Sequence, residues 1–120
     1  MDVRTLFNEK SKIQKLKEGI VIFEEGSKGH LMYVILEGEV EIVIAGKIID
    51  TIKAGQMLGE MAMIDERSRS ATAITKTDCQ MVSLDRDHFY AMVSEQPIFA
   101  QAVLQTLAQR LRRANFKLFE

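Results

Sequence analysis

From residue 13 to residue 84 the chain reads as short β-rich runs cut by glycine turns, at Gly26, Gly38, Gly46 and Gly55. The runs fall at residues 13–16, 20–23, 31–36, 40–44, 48–52, 71–75 and 80–84. Short strands at regular spacing with glycine between them build a sandwich or a barrel. At Asp85 the apolar period changes from two to 3.6. Asp85 is placed to cap a helix carrying Phe89, Met92 and Val93. Pro97 ends that helix and starts the next at its first turn. Phe99, Val103, Leu107, Leu111, Ala114 and Leu118 then recur every three or four residues, which predicts a long helix over residues 97–117 with one apolar stripe. Residues 2–9 are expected to form a short leading helix anchored by Leu6 and Phe7.

Size and charge narrow the function classes. A chain of 120 residues makes one domain with its own core. Sixteen basic residues against 17 acidic ones create no demand for nucleic acid or an anionic membrane. A single cysteine, Cys79, excludes an internal disulfide and suits a reducing compartment, where it is expected to be a small buried residue. No apolar run is long enough to span a bilayer, and the charged start of the chain is not a signal peptide. The expected location is therefore cytoplasmic. Seven methionines without a tryptophan suggest an adaptable core, with Met57, Met61 and Met63 in it.

The stretch GQMLGEMAMIDERSRSATA, residues 55–73, interrupts the strand pattern and carries the chemistry. Gly59 precedes a run, Met61-Ala62-Met63-Ile64, that is long enough for a turn or two of helix. Glycine lets backbone N–H groups approach a ligand with no Cβ in the way. The first N–H groups of a helix lack internal partners and sit at the positive end of its dipole, so they attract phosphate. Arg69 can add a guanidinium fork and Ser70 a hydroxyl. The Glu60 carboxylate accepts hydrogen bonds, and a sugar hydroxyl donates them. Together these describe a nucleotide with a single phosphate. The Lys-Ser or Lys-Thr of a triphosphate loop is missing, and so is the G-x-G-x-x-G of a dinucleotide fold.

These residues resemble the phosphate-binding cassette of the cyclic nucleotide-binding domain family. That domain occurs in the bacterial catabolite activator, in regulatory subunits of cAMP-dependent kinase and in cyclic-nucleotide-gated channels. The family pattern runs roughly Phe-Gly-Glu-Leu-Ala-Leu, a link, then Pro-Arg-x-Ala-Thr. Here it reads Leu58-Gly59-Glu60-Met61-Ala62-Met63, then Ser68-Arg69-Ser70-Ala71-Thr72, with leucine for the aromatic and serine for the proline. A further departure is Gly26-Ser27, where the family often has Gly-Asp. The resemblance implies a mainly β fold with helices. It would be an eight-stranded jelly-roll-like β-roll with a short helix in the cassette, over about residues 13–84, and a C-terminal helical pair over about residues 85–118. It also implies that Glu60 binds the ribose 2′-hydroxyl and Arg69 the cyclic phosphate, with Gly59, Met61, Ala62, Ser70 and Ala71 around them. The base would meet the last helix at Ala114 and Asn115, and Ile42 would pack on it. Serine at position 70 fits bacterial domains and cGMP-preferring kinases alike; the overall pattern favours cAMP over cGMP.

Each residue also has a plainer reading. Glu60 alone is a surface acid favoured by a helix start, and Arg69 alone is a strand-edge arginine paired with Asp65 or Glu66. Asn115 alone is a helix-end residue in water. Arg110, Arg112, Arg113 and Lys117 read as a solvated helix face. His30 and His88 stand apart, without the His-x-His of a metal-binding cupin, so neither metal nor cofactor is expected. The sequence thus leads to a non-enzymatic sensor whose last helix closes over a cyclic nucleotide. The signal would pass to an effector protein or to a second copy packed on the Phe99–Leu118 stripe. Nucleic acid and membrane are not expected as direct partners. The alternatives are a same-fold interaction module without ligand, the sensing part of a larger transcription regulator, and a cupin-like metalloenzyme.

Overall fold

In the computed structural model of the chain, the described residues are 2–8, 11–65 and 67–119, with side chains described as far as residue 113. Eight strands form two four-stranded antiparallel sheets. They are β1 (Ile13–Leu16), β2 (Val21–Phe23), β3 (Met32–Glu37), β4 (Glu39–Ile44), β5 (Lys47–Lys53), β6 (Met57–Leu58), β7 (Thr72–Thr75) and β8 (Cys79–Leu84). One sheet runs β1-β8-β3-β6 and the other β2-β7-β4-β5. A four-residue helix, α1 (Met61–Ile64), sits between β6 and β7, and α2 (Arg86–Glu95) and α3 (Pro97–Phe119) close the chain.

β3 shows how the layers stack. Successive side chains of a strand point to opposite faces. Tyr33 and Ile35 face the second sheet, where Val40, Ile52 and Ala73 meet them. Met32 and Val34 face the other way and pack against Phe89 of α2 and Phe99 and Val103 of α3. Residues 32–35 are therefore buried on both faces, which explains an apolar run without alternation.

The ends of α2 and α3 follow their sequence signals. The Asp85 carboxylate accepts from the His88 N–H at 2.8 Å, satisfying one donor of the first turn. α3 begins at Pro97, whose missing N–H costs nothing there. Phe99 is fully buried and makes an edge contact with Phe89 at 5.9 Å between ring centres.

Three local expectations change. The leading helix is a single 3-10 turn, Val3–Leu6, whose Asp2 cap accepts from the Arg4 N–H. Val3 is its buried anchor, with Leu6 and Phe7 half-buried beside it. β6, only two residues long, completes the first sheet by pairing with Tyr33 and Val34. The apolar stripe of α3 is not a free face: Phe99, Val103 and Leu107 pack into the chain's own core, leaving Leu104 and Leu111 exposed.

Candidate functional site

Arg69 is held by its backbone before its side chain acts. Its N–H donates to Ser27 O at 2.7 Å, and its carbonyl accepts from the Gly26 N–H at 2.8 Å. That pins it to the β2–β3 turn and sends the side chain inward, leaving the residue 8 % exposed. The guanidinium lies over the Phe23 ring, 4.1 Å from its centre, a favourable cation–π placement. Nη1 donates to Gly59 O at 3.3 Å and Nη2 to Leu31 O. Nε is buried with no hydrogen-bond partner. Burial pushes the Arg69 guanidinium below its usual range, opposed by a weaker interaction with Tyr33. Asp65 pairs instead with exposed Arg67 at 3.7 Å, and Glu66 lies outside the described residues. The strand-edge reading of Arg69 is thus replaced: it is a buried cation that no described carboxylate balances.

Two glycines make room for that guanidinium. A Cβ on Gly29 would stand 2.6 Å from Arg69 Cζ and Nε and 2.8 Å from the Ala62 Cβ. A Cβ on Gly59 would stand 2.7 Å from Nη1, at a residue whose φ of +79° already disfavours a side chain.

Glu60 is 0 % exposed, which overturns the surface-acid reading. It occupies the cap position of α1 in helical conformation and makes no side-chain cap bond. Its Oε1 accepts from Arg110 Nη1, which arrives from α3. Arg110 also donates from Nη2 to Met57 O at 3.1 Å. The second carboxylate oxygen, Oε2, is buried with no hydrogen-bond partner. Burial lowers the Arg110 guanidinium, Asp50 opposes that shift and Arg113 adds to it. One turn further on, Arg113 Nη1 meets Asp50 Oδ2 of β5 at 2.6 Å. The solvated-face reading is therefore corrected for Arg110, whereas Arg113 stays exposed while pairing with an acid of the β-roll. The signal was present in the sequence, because Arg110 stands seven residues after Val103 and three after Leu107, on the buried side of the helix.

The short cassette helix is docked from behind. The Ala62 carbonyl accepts from Arg86 Nη2 at 3.1 Å and the Met63 carbonyl from the Tyr90 hydroxyl at 3.4 Å, so α2 satisfies groups that four residues of helix leave open. In front, the Ala62 N–H turns back to Gly59 O at 3.3 Å, so it is not wholly open to an incoming anion as expected.

A cavity of about 560 Å³ opens over these groups. Gly59, Met61, Ala62, Arg69, Ser70 and Ala71 line it, and Ile42 faces them from β4. Met61 is half exposed on this wall, unlike Met57 and Met63, which are core as expected. Arg110 and Arg113 line the cavity as well, whereas Glu60 lies beneath Arg110. The Asn115 side chain lies outside the described residues. Of the nine expected residues, the structure brings seven to one cavity and puts Glu60 under Arg110 beside it. Phe23 and Asp50 also line this cavity; nothing in their local sequence singled them out.

The family model described as "Cyclic nucleotide-binding domain" matches residues 13–96. The chain belongs to the cyclic nucleotide-binding domain family. It is 31 % identical over 102 residues to the CRP-like cAMP-activated global transcriptional regulator of Mycobacterium tuberculosis, covering 81 % of this chain and 46 % of that one. It is 30 % identical over 106 residues to the cyclic AMP receptor protein of Thermus thermophilus, with 84 % and 49 % covered. The crystal structure of the Thermus thermophilus catabolite activator protein superposes with a TM-score of 0.79 at 28 % identity, covering 90 % of this chain and 53 % of that one. The chain thus spans about half the length of the curated relatives it matches. Its two four-stranded sheets with closing helices are the jelly-roll of the cyclic nucleotide-binding domain.

Proposed function

We propose that the chain is a cyclic-nucleotide sensor that prefers cAMP to cGMP and does no chemistry on its ligand. The observation that carries this reading is Arg69: a buried guanidinium with an unpartnered Nε, on the wall of a cavity large enough for a nucleotide. An isolated buried cation is unfavourable, and an anionic ligand removes the cost. A cyclic phosphodiester carries one negative charge and suits a single guanidinium. The preference for cAMP rests on the relatives named for it.

The ribose 2′-hydroxyl donates to Glu60, whose Oε2 has an open acceptor site. Glu60 lies under Arg110, so the ribose reaches it only as Arg110 adjusts. Arg110 belongs to α3, and ligand occupancy is thereby linked to that helix. The shift is limited to the difference in ligand affinity between the two helix positions. The output passes to an effector or to a second copy of the chain. The surface for a second copy on α3 is the exposed pair Leu104 and Leu111, 66 % and 62 % exposed, and not the inward stripe. The domain acts in the cytoplasm, alone or as the sensing part of a larger regulator.

Calorimetric titration with cAMP and cGMP tests the reading. Binding heat that Arg69→Ala abolishes supports a sensor. No heat with either nucleotide overturns it in favour of an interaction module of the same fold. Light scattering with and without ligand tests the second copy; a monomer in both states removes it.

A further inference from the structure

On the wall opposite the cassette residues, the cavity is nearly all aliphatic. Ile42 and Ile44 of β4 and Ile49 and Ile52 of β5 line it, and the polar groups beside them are Asp50 of β5 and Arg110 and Arg113 of α3, of which Arg110 is taken up by Glu60. Asp50 reaches this wall in step with Ile52, two residues on; Ile49 is the residue that ordinary strand alternation would send elsewhere. The β4–β5 ladder pairs Val43 with Ile48 and Ile42 with Asp50, so Ile49 is an extra residue, a bulge. A bulge re-aims side chains. Here two consecutive residues, Ile49 and Asp50, line the same cavity, which a regular strand forbids. The carboxylate is then fixed on both oxygens: Oδ1 accepts from the Thr51 N–H at 2.8 Å and Oδ2 from Arg113 Nη1 at 2.6 Å.

We propose that Asp50 and Arg113 are the specificity-determining pair of this site, reading the N7 and N6-amino edge of an adenine held between the isoleucines. The inference rests on the nucleotide reading given above and goes beyond it by assigning the base end. Purine rings are flat and apolar on their faces, and branched aliphatic walls suit them. Their edges carry the information. Adenine presents an acceptor, N7, beside a donor, the N6 amino group. Arg113 supplies a donor and Asp50 an acceptor, side by side and held by their own ion pair. Guanine presents two acceptors on that edge, N7 and O6, and O6 would face the Asp50 carboxylate. The pair also ties α3 to β5, so a purely mechanical role is the competing explanation.

The two roles separate in the ratio of cAMP to cGMP affinity. The experiment is calorimetric titration of the whole chain with both nucleotides for the wild type, Asp50→Asn and Arg113→Met, with circular dichroism confirming the fold. The expected result is a wild type that prefers cAMP and variants in which that preference narrows by roughly tenfold, mainly through weaker cAMP binding. Asp50→Asn keeps the shape, and Arg113→Met keeps the length of the side chain, so the two variants do not share one folding risk. Equal weakening of both nucleotides, or an unchanged ratio, overturns the inference and leaves the sensor reading standing. A wild type that prefers cGMP overturns it too. A wild type that binds neither overturns the sensor reading and this inference together.

Discussion

Arg110 of α3 closes over Glu60 at the start of the cassette, fifty positions earlier in the chain, and the carboxylate it covers has no exposed surface. Removing the cation strands a buried negative charge, which costs far more than the pair contributes. Arg110→Met is therefore expected to destabilise the domain by roughly 3 kcal/mol. Adding Glu60→Gln to it should recover a large part of that loss. Urea denaturation of the two variants and the wild type measures both steps; equal stability of all three would show that the pair carries no structural weight.

Arg69 gives the opposite expectation. Its charge is buried without a counter-charge among the described residues, so the ligand-free fold bears a cost that function requires. Arg69→Met is expected to melt no lower than the wild type in the absence of nucleotide, while its nucleotide affinity falls by about 100-fold or more. In the wild type, nucleotide at 100 times its Kd should add about 2.7 kcal/mol of stability by mass action. Thermal melts with and without cAMP test both statements.

Both glycines crowd the guanidinium when given a Cβ, and only Gly59 adds backbone strain. Gly59→Ala meets Arg69 Nη1 at 2.7 Å, the Leu31 carbonyl at 3.2 Å and a left-handed backbone, and should cost about 1–2 kcal/mol of stability as well as weaken nucleotide binding. Gly29→Ala presses on Arg69 Nε and Cζ and on the Ala62 methyl. It is expected to weaken nucleotide binding by about tenfold with a smaller loss of stability. Paired denaturation and binding curves distinguish the two effects.

Tyr33 supplies a pH prediction. Burial raises its phenol above the ordinary value of 10.0, with the Arg69 charge opposing the shift. The neutral phenol is thus favoured in the folded chain, and its contribution is complete below pH 10. As pH rises past that value the unfolded chain loses its proton first, and stability falls until the folded phenol also ionises. Tyr33→Phe should remove this part of the alkaline decline. Urea midpoints at pH 8 and pH 10.5 for both proteins reveal it, since the lysines common to both cancel.

The sequence carried most of the fold. Glycine turns and short β-branched runs marked seven of the eight strands, and Asp85 and Pro97 marked both helix starts. β6 was not legible because two residues, Met57 and Leu58, have no period; their pairing with β3 is a long-range event. The cassette was legible because its acid, arginine and small residues are close in sequence. The α3 side of the site was half legible: the spacing from Val103 and Leu107 puts Arg110 on the inward side of the helix, but its acid, and the pairing of Arg113 with Asp50, emerge only when the roll brings Glu60 and Asp50 to them. Met61 shows the same limit from the other side: a four-residue helix has too few turns to reveal which methionine faces out.

The inward packing of Phe99, Val103 and Leu107 has a mechanical corollary. It makes Leu107 a fulcrum, with the earlier turns of α3 clamped by apolar packing and the next turn held to the roll by the Arg110–Glu60 and Arg113–Asp50 pairs, so that a change in those pairs moves the rest of the helix as a lever arm. The arm from Leu107 to Phe119 is about 18 Å long at 1.5 Å per residue, so a tilt of about 10° sweeps its tip through roughly 3 Å. A small adjustment of Arg110, one turn past the pivot, therefore reaches the far end of the helix magnified about fourfold.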